Sequence, residues 1–266
     1  MDDFAIILGA RGSIPVSGRD YSAYGGATTC VLLRLGGAAV LLDAGTGLLR
    51  LPDWVLEQRE LPLLLTHPHL DHLLGLPMCS YLVRSGRRLD IYAAPRGGLD
   101  TEAQIRRLLS PPLWPIGPDK FPAALQFHSL EASMDLGGLH VDALEGCHPG
   151  GVSVLRISGG GRRVVLATDC TLTPRLLPAL QAFSRDCDLL LIDGQYSPAE
   201  WESRSGYGHN TWDTAACFGR DCGARQIRIL HHDPAHTDAF LDLAAQELHQ
   251  IYPNCDFAHE GEVVQL

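Results

Sequence analysis

The run Thr66-His67-Pro68-His69-Leu70-Asp71-His72 constrains this chain more than any other feature. It follows directly on the apolar run Leu61–Leu65, so its polar side chains emerge together from a rigid strand end. His67 and His69 are two residues apart and can converge on one ion from a turn. Asp71 and His72, the next pair, can face a second ion close by. Imidazole nitrogen with carboxylate oxygen suits zinc, manganese or iron(II), and no thiolate is needed. The alternative is a polar loop with chance histidines, and three His and one Asp within six residues make that reading poor.

A site for two ions needs more ligands, and other strand ends offer them. Cys147-His148-Pro149-Gly150 lies between two apolar runs, Thr168-Asp169-Cys170 follows Val164–Ala167, and His231-His232-Asp233-Pro234 follows Gln226–Leu230. Taken singly, each is weak, because a lone Asp or His after a strand is more often a cap or a surface group. Together with the first cluster they form an ordered set. His231 and His232 compete for the late position. Cys147 and Cys170 read as small buried residues packing the floor of such a site.

Short apolar runs alternate with helical patterns along the whole chain. Expected strands are 4–8, 30–35, 39–43, 61–65, 90–93, 125–129, 139–143, 152–157, 164–167, 189–193 and 226–230, with Gly159-Gly160-Gly161 as a hairpin turn. Expected helices are 75–84, 101–109, 174–184, 211–222 and 238–252, the last with Phe240, Leu241, Ala244, Leu248 and Ile251 on one stripe. Five prolines in 110–122 predict an irregular, lid-like loop. These patterns predict an α/β protein, with residues 1–266 as a single domain.

Lys and Arg total 21 against 31 Asp and Glu, a net charge of -10, which disfavours a grip on long nucleic acid. No stretch is long and apolar enough for a membrane span, and the acidic start Met1-Asp2-Asp3-Phe4 lacks the pattern of a secretory signal. Eight scattered cysteines without a Cys-x-x-Cys pair read as reduced thiols, so the expected compartment is the cytoplasm.

In its order of His67/His69/Asp71/His72, His148, Asp169 and His231, the chain resembles the metallo-β-lactamase-fold hydrolases over nearly its whole length. Leu42-Asp43-Ala44-Gly45 matches the family's early Asp-x-Gly turn, whose Asp orients a metal ligand. The resemblance implies a four-layer αββα sandwich with the site at one edge of the sheets. It further implies one metal on His67, His69 and His148, and a second on Asp71, His72 and a late His, with Asp169 bridging. Alignment of 227–230 with the family strand selects His231. The implied cofactors are two divalent ions, zinc or manganese, with iron as a further option.

Asp193-Gly194-Gln195-Tyr196 followed by Gly208-His209-Asn210-Thr211-Trp212 resembles the ribonuclease Z and related phosphodiesterase branch, where an acidic residue pairs with a later His. Here Asp193 stands where ribonuclease Z has Glu, and Asn210 replaces the usual Ser. The long Gly-Pro-rich arm that clasps transfer RNA in ribonuclease Z is not evident. The expected function is therefore hydrolysis of a small phosphodiester, such as a cyclic or short nucleotide. A metal-activated hydroxide held by Asp71 would be the nucleophile, and His209, oriented by Asp193, would protonate the leaving oxygen. Arg11 is a candidate phosphate contact. The alternatives are a lactone, thioester or other acyl hydrolase on the same site, and a non-catalytic nucleotide sensor. Neither a membrane nor a long nucleic acid is an expected partner, and a homodimer is compatible with the sequence.

Overall fold

The computed structural model describes residues 2–266. In chain order the first strands are β1 (Phe4–Gly9), β2 (Cys30–Leu35), β3 (Ala38–Leu42), β4 (Glu60–Leu65), β5 (Arg88–Ala93), β6 (Ala124–Ser129) and β7 (Ser133–Leu136). The later ones are β8 (Leu139–Glu145), β9 (Ser153–Gly159), β10 (Arg162–Ala167), β11 (Leu189–Asp193), β12 (Gln226–Leu230), β13 (Cys255–Phe257) and β14 (Val263–Gln265). The helices are α1 (Asp53–Leu56), α2 (Thr101–Leu108), α3 (Leu177–Ser184), α4 (Trp201–Arg204), α5 (Trp212–Asp221) and α6 (Asp238–Ile251).

Two seven-stranded sheets result, in the orders β14-β1-β2-β3-β4-β5-β6 and β13-β12-β11-β10-β9-β8-β7. In each, an antiparallel portion leads into a parallel one, β3 to β6 in the first sheet and β10 to β13 in the second. Parallel strands must be covered on both faces, and their sequences are apolar throughout. β11 shows why: Leu189 and Leu191 fill the core between the sheets, whereas Leu190 and Ile192 pack under helices. Val55 and Leu56 of α1 and Ile105 of α2 cover the outer face of the first sheet. Leu180 of α3, Phe218 of α5, and Leu241 and Leu248 of α6 cover the second. The layers are helix, sheet, sheet, helix, as the resemblance implied.

Eleven strand segments fall where the periodicity placed them. The hairpin between β9 and β10 closes on Gly160 and Gly161, with φ of 58° and 78°. Positive φ at both turn residues matches the right-handed strand twist, which explains the glycines. The short strands β7, β13 and β14 and the one-turn helices α1 and α4 were not expected.

Two helical expectations fail. Residues 75–84 contain only isolated tight turns, the first at Leu76–Met78, because Pro77 can begin a helix but removes the amide needed to continue one. Helix α3 begins at Leu177 rather than at residue 174, with Pro178 in its first turn. The stripe on α6 is also narrower than expected: Leu241, Ala244 and Leu248 are buried, but Ile251 is 67% exposed. Residues 110–122 are irregular except for a turn closed by the Trp114 N–H on the Ser110 carbonyl and another at Pro118–Lys120. Among the described residues, no helix is long and apolar enough to cross a membrane.

Arg11 lies far from the role of phosphate contact. It is wholly buried, and its guanidinium donates to the carbonyl oxygens of Gly25 (2.9 Å), Asp233 (3.1 Å) and His236 (2.8 Å). Its face covers Tyr21 at 5.3 Å. It thereby ties the loop after β1 to the loop that follows β12. Arg11→Ala should strand those buried carbonyls and cost about 3 kcal/mol or more of stability. A urea unfolding midpoint within error of the parent would show that the clasp carries no weight.

Candidate metal centre

The polar cluster collects where the parallel strands of both sheets end. Asp43 follows β3 and Thr66 to His72 follow β4. From the second sheet, His148 lies between β8 and β9, Asp169 follows β10, Asp193 closes β11 and His231 follows β12. Asp43, Asp169 and His231 have left-handed backbones, with φ of 58°, 52° and 64°. That conformation is unfavourable for residues with a β-carbon and tends to accumulate at working sites.

The ligand-type atoms form overlapping groups, each within 4.8 Å. One joins His67, His69, His148 and Asp169, and another joins Asp71, His72, Asp169 and His231. Asp169 is common to both, so the seven residues singled out in the sequence converge. Nε2 of His148 lies 3.1 Å from Nδ1 of His69, and Nε2 of His67 lies 3.7 Å from Oδ2 of Asp169. Nε2 of His231 is 3.1 Å from carboxylate oxygens of both Asp71 and Asp169. Nε2 of His72 is 3.3 Å from Oδ1 of Asp169. Donor atoms around a tetrahedral ion with bonds near 2.05 Å stand about 3.3 Å apart. These spacings therefore match atoms that share a cation.

The other ring nitrogens fix which atom is offered. Nδ1 of His72 donates to Oδ2 of Asp43 at 2.8 Å. Thr66 gives its hydroxyl proton to Asp43, so its oxygen accepts from Nδ1 of His67 at 3.0 Å. His148 donates through Nδ1 to the Gly208 carbonyl, and His231 donates through Nδ1 to Oε1 of Gln195, both at 3.1 Å. All four imidazoles thus turn Nε2 toward the cluster, where loss of any proton there leaves a lone pair for a cation. Nε2 of His67 and of His72 are buried and lack any hydrogen-bond partner. Orphaned buried acceptors of this kind fit a cation as their missing partner.

Electrostatics divide the cluster. Burial holds His67, His69 and His148 below the usual histidine pKa, so they are neutral donors. Burial opposes the charge on His231 and His72, but Asp169 and its neighbours outweigh it and raise both, His231 to about 10. Burial likewise disfavours charge on Asp71 and Asp169, and the facing imidazoles reverse the balance and hold both below the usual carboxylate range.

His232 turns away from the cluster and bonds the Ala258 carbonyl at 2.8 Å. Burial, with Arg11 nearby, lowers its pKa to about 3. Cys170 is buried as expected, but Cys147 is exposed, because it lies on the outer loop ahead of His148. His209 donates through Nδ1 to Oδ2 of Asp193 at 2.6 Å, so the shorter carboxylate does reach it. Its ring stacks on that of His231 at 4.7 Å between centroids. Asn210 stitches this loop down by accepting from Leu172 N–H and donating to the Cys170 carbonyl. A side chain at Gly208 would place its β-carbon 2.5 Å from His148, which excludes anything larger.

A family model described as "Beta-lactamase superfamily domain" matches residues 39–232. The chain belongs to the beta-lactamase superfamily. Within it, the chain has the metallo-β-lactamase fold and is a ribonuclease Z-like metal-dependent hydrolase. It is 24% identical to the ribonuclease Z of Treponema pallidum (strain Nichols) over 311 residues, 98% of this chain and 97% of the relative. Among solved structures it is similar to the metallo-β-lactamase-fold protein YhfI from Bacillus subtilis, with a TM-score of 0.74, 19% identity and full coverage of both chains. The short form of human tRNase Z gives a TM-score of 0.69 at 20% identity over 98% of each chain.

Sequence reasoning did not single out Gln195 as part of this superfamily site. Besides accepting from His231, it donates through Nε2 to Oδ2 of Asp233 at 3.1 Å, which fixes the carbonyl end of its amide toward the imidazole. Its position two residues past Asp193 was the only available signal. Gln195→Leu should weaken zinc affinity about 10–100-fold while the fold is kept. Competition with a chromophoric chelator measures it, and an unchanged affinity would remove Gln195 from the site.

Proposed function

We propose that the chain hydrolyses a phosphodiester in a small substrate, a cyclic or short nucleotide. The observation that carries the reading is the buried Asp193–His209 pair stacked against His231 at the edge of the cluster. His67, His69 and His148 would hold one divalent ion, and Asp71, His72 and His231 a second, with Asp169 between them. Zinc or manganese suits this donor set, and iron(II) also fits. Two such ions, when bound, acidify water and neutralise charge on phosphate oxygens.

The chain's own groups do the rest. Asp71 is fixed by the Ser13 N–H at 2.8 Å and by His231, so one carboxylate edge faces the cluster, where it can hold or accept a proton from an attacking water. With Nδ1 committed to Asp193, His209 offers only Nε2 outward. Protonated there, it can deliver a proton to the departing oxygen, a role needed by an alkoxide and not by a nitrophenolate. A small substrate agrees with the net charge of -10. It also agrees with a chain in which no long Gly-Pro-rich arm is evident.

His209→Ala should lose about 10²–10⁴-fold on a nucleoside phosphodiester and far less on bis(p-nitrophenyl) phosphate, with metal content unchanged. Equal losses on both leaving groups would remove the general acid, and hydrolysis confined to lactones or thioesters would replace the reading altogether. Transfer-RNA precursor should bind weakly and without a steep salt dependence. Efficient cleavage of that precursor, suppressed by modest salt, would overturn the small-substrate assignment.

A further inference from the structure

The metal centre lies where β10, β11 and β12 end, and a polar hollow of about 380 Å³ lies where the same three strands begin. β10 leads from Arg162 in the hollow toward Asp169, β11 from beside Asp188 to Asp193, and β12 from beside Arg225 toward His231. At about 3.3 Å per residue, the strands hold the two places roughly 15–20 Å apart. Small-molecule sites run from roughly 300 to 1,000 Å³, so the hollow has room for more than a single ion.

Three guanidiniums and two carboxylates line it, in a chain whose net charge is -10. Asp188 is fully committed. One of its oxygens takes Nη1 of Arg162 at 3.2 Å and Nη1 of Arg225 at 3.4 Å, and the other takes the Arg163 N–H at 2.9 Å. Two positive charges thus converge on one oxygen, and a single carboxylate cannot neutralise both. The other guanidinium N–H groups of Arg162 and Arg225 have no protein partner among the described residues. Planar donor forks that converge in this way match the oxygens of a phosphate. Asp186 is different, because its carboxylate lines the hollow with no hydrogen bond or ion pair among the described residues. A bare phosphate would only be repelled by it, whereas hydroxyl groups would donate to it. Ser158 adds a hydroxyl of its own, and no apolar side chain lines the hollow to favour an alkyl chain.

We infer that this hollow binds a phosphorylated, hydroxyl-rich small molecule of the sugar phosphate class, with its phosphate on Arg162 and Arg225 and its hydroxyls on Asp186. The site is separate from the metal centre and does not depend on the reaction proposed there.

Backbone amide resonances of the zinc-loaded protein distinguish the hollow from the metal centre. Ribose 5-phosphate should shift those of residues 161–163 and 186–188 in a saturable way, with about tenfold higher affinity than inorganic phosphate. Arg225→Gln, at a side chain 72% exposed, should weaken that binding about tenfold. Asp186→Asn, an exchange that suits the left-handed backbone at this position, should remove the preference over inorganic phosphate. Unchanged resonances elsewhere show that each variant is folded. Shifts confined to the surroundings of the metal centre, equal affinities for the two phosphates in the parent, or binding that Arg225→Gln leaves intact would overturn the site.

Discussion

The carboxylate of Asp43 holds the first half of the centre together. It is completely buried, and an isolated carboxylate there would cost several kcal/mol. Its oxygens instead accept from the Thr66 N–H at 2.8 Å, the Thr66 hydroxyl and Nδ1 of His72. Every one of those donors belongs to the run that leaves β4. The same interaction therefore pins the end of β3 to the end of β4 and orients His72. Through the single proton of the Thr66 hydroxyl, it orients His67 as well. Fold and site share one contact here, and a change to that contact moves both.

The second sheet uses the same device on Asp193. It too is wholly buried and accepts from a histidine Nδ1, that of His209, and from the backbone N–H groups of Asp169, Gln195 and Asn210. Each sheet thus ends in a carboxylate that is satisfied only when a neighbouring loop closes over it. The left-handed backbones of Asp43, Asp169 and His231 are tolerated because these hydrogen bonds over-determine the turns. What differs is where the second ring nitrogen goes. Asp43 turns Nε2 of His72 into the buried cluster, whereas Asp193 presents a ring at the edge, against His231.

Much of this was legible in the sequence, for a specific reason. Strands buried on both faces read as continuous apolar runs, and the polar residues that interrupt them mark their ends, so Asp43, Thr66, Asp169, Asp193 and His231 announced themselves. His231 could not be separated from His232 by residue type, since both follow the same strand. The left-handed turn at His231 sends one ring to Asp71 and leaves the next to the Ala258 carbonyl. Arg11 misled because an arginine in a Gly-rich loop looks solvated, and only the fold supplies the carbonyls of Gly25, Asp233 and His236 that absorb it. Gln195 was silent because its role depends on Asp233, 38 residues away. Strands β7, β13 and β14 were missed because their pairing comes from long-range neighbours in the sheets rather than from their own short sequences.

The charges explain how so polar a cluster survives inside the protein. Asp71 and Asp169 are held ionised, and His72 and His231 are held protonated, so opposite charges face one another at 3.1 to 3.4 Å. A histidine raised above its ordinary 6.5 contributes stability in full below that value and loses it as pH climbs through the folded pKa, about 10 for His231. Carboxylates held low contribute above about 4 and lose it as pH falls. The metal-free network is therefore strongest between about pH 4 and 6.5 and loses its contribution as pH rises from there toward about 10. A divalent cation would restore the positive charge that rising pH removes, at Nε2 atoms of which those of His67 and His72 have no hydrogen-bond partner. Proton and metal thus compete for one set of atoms.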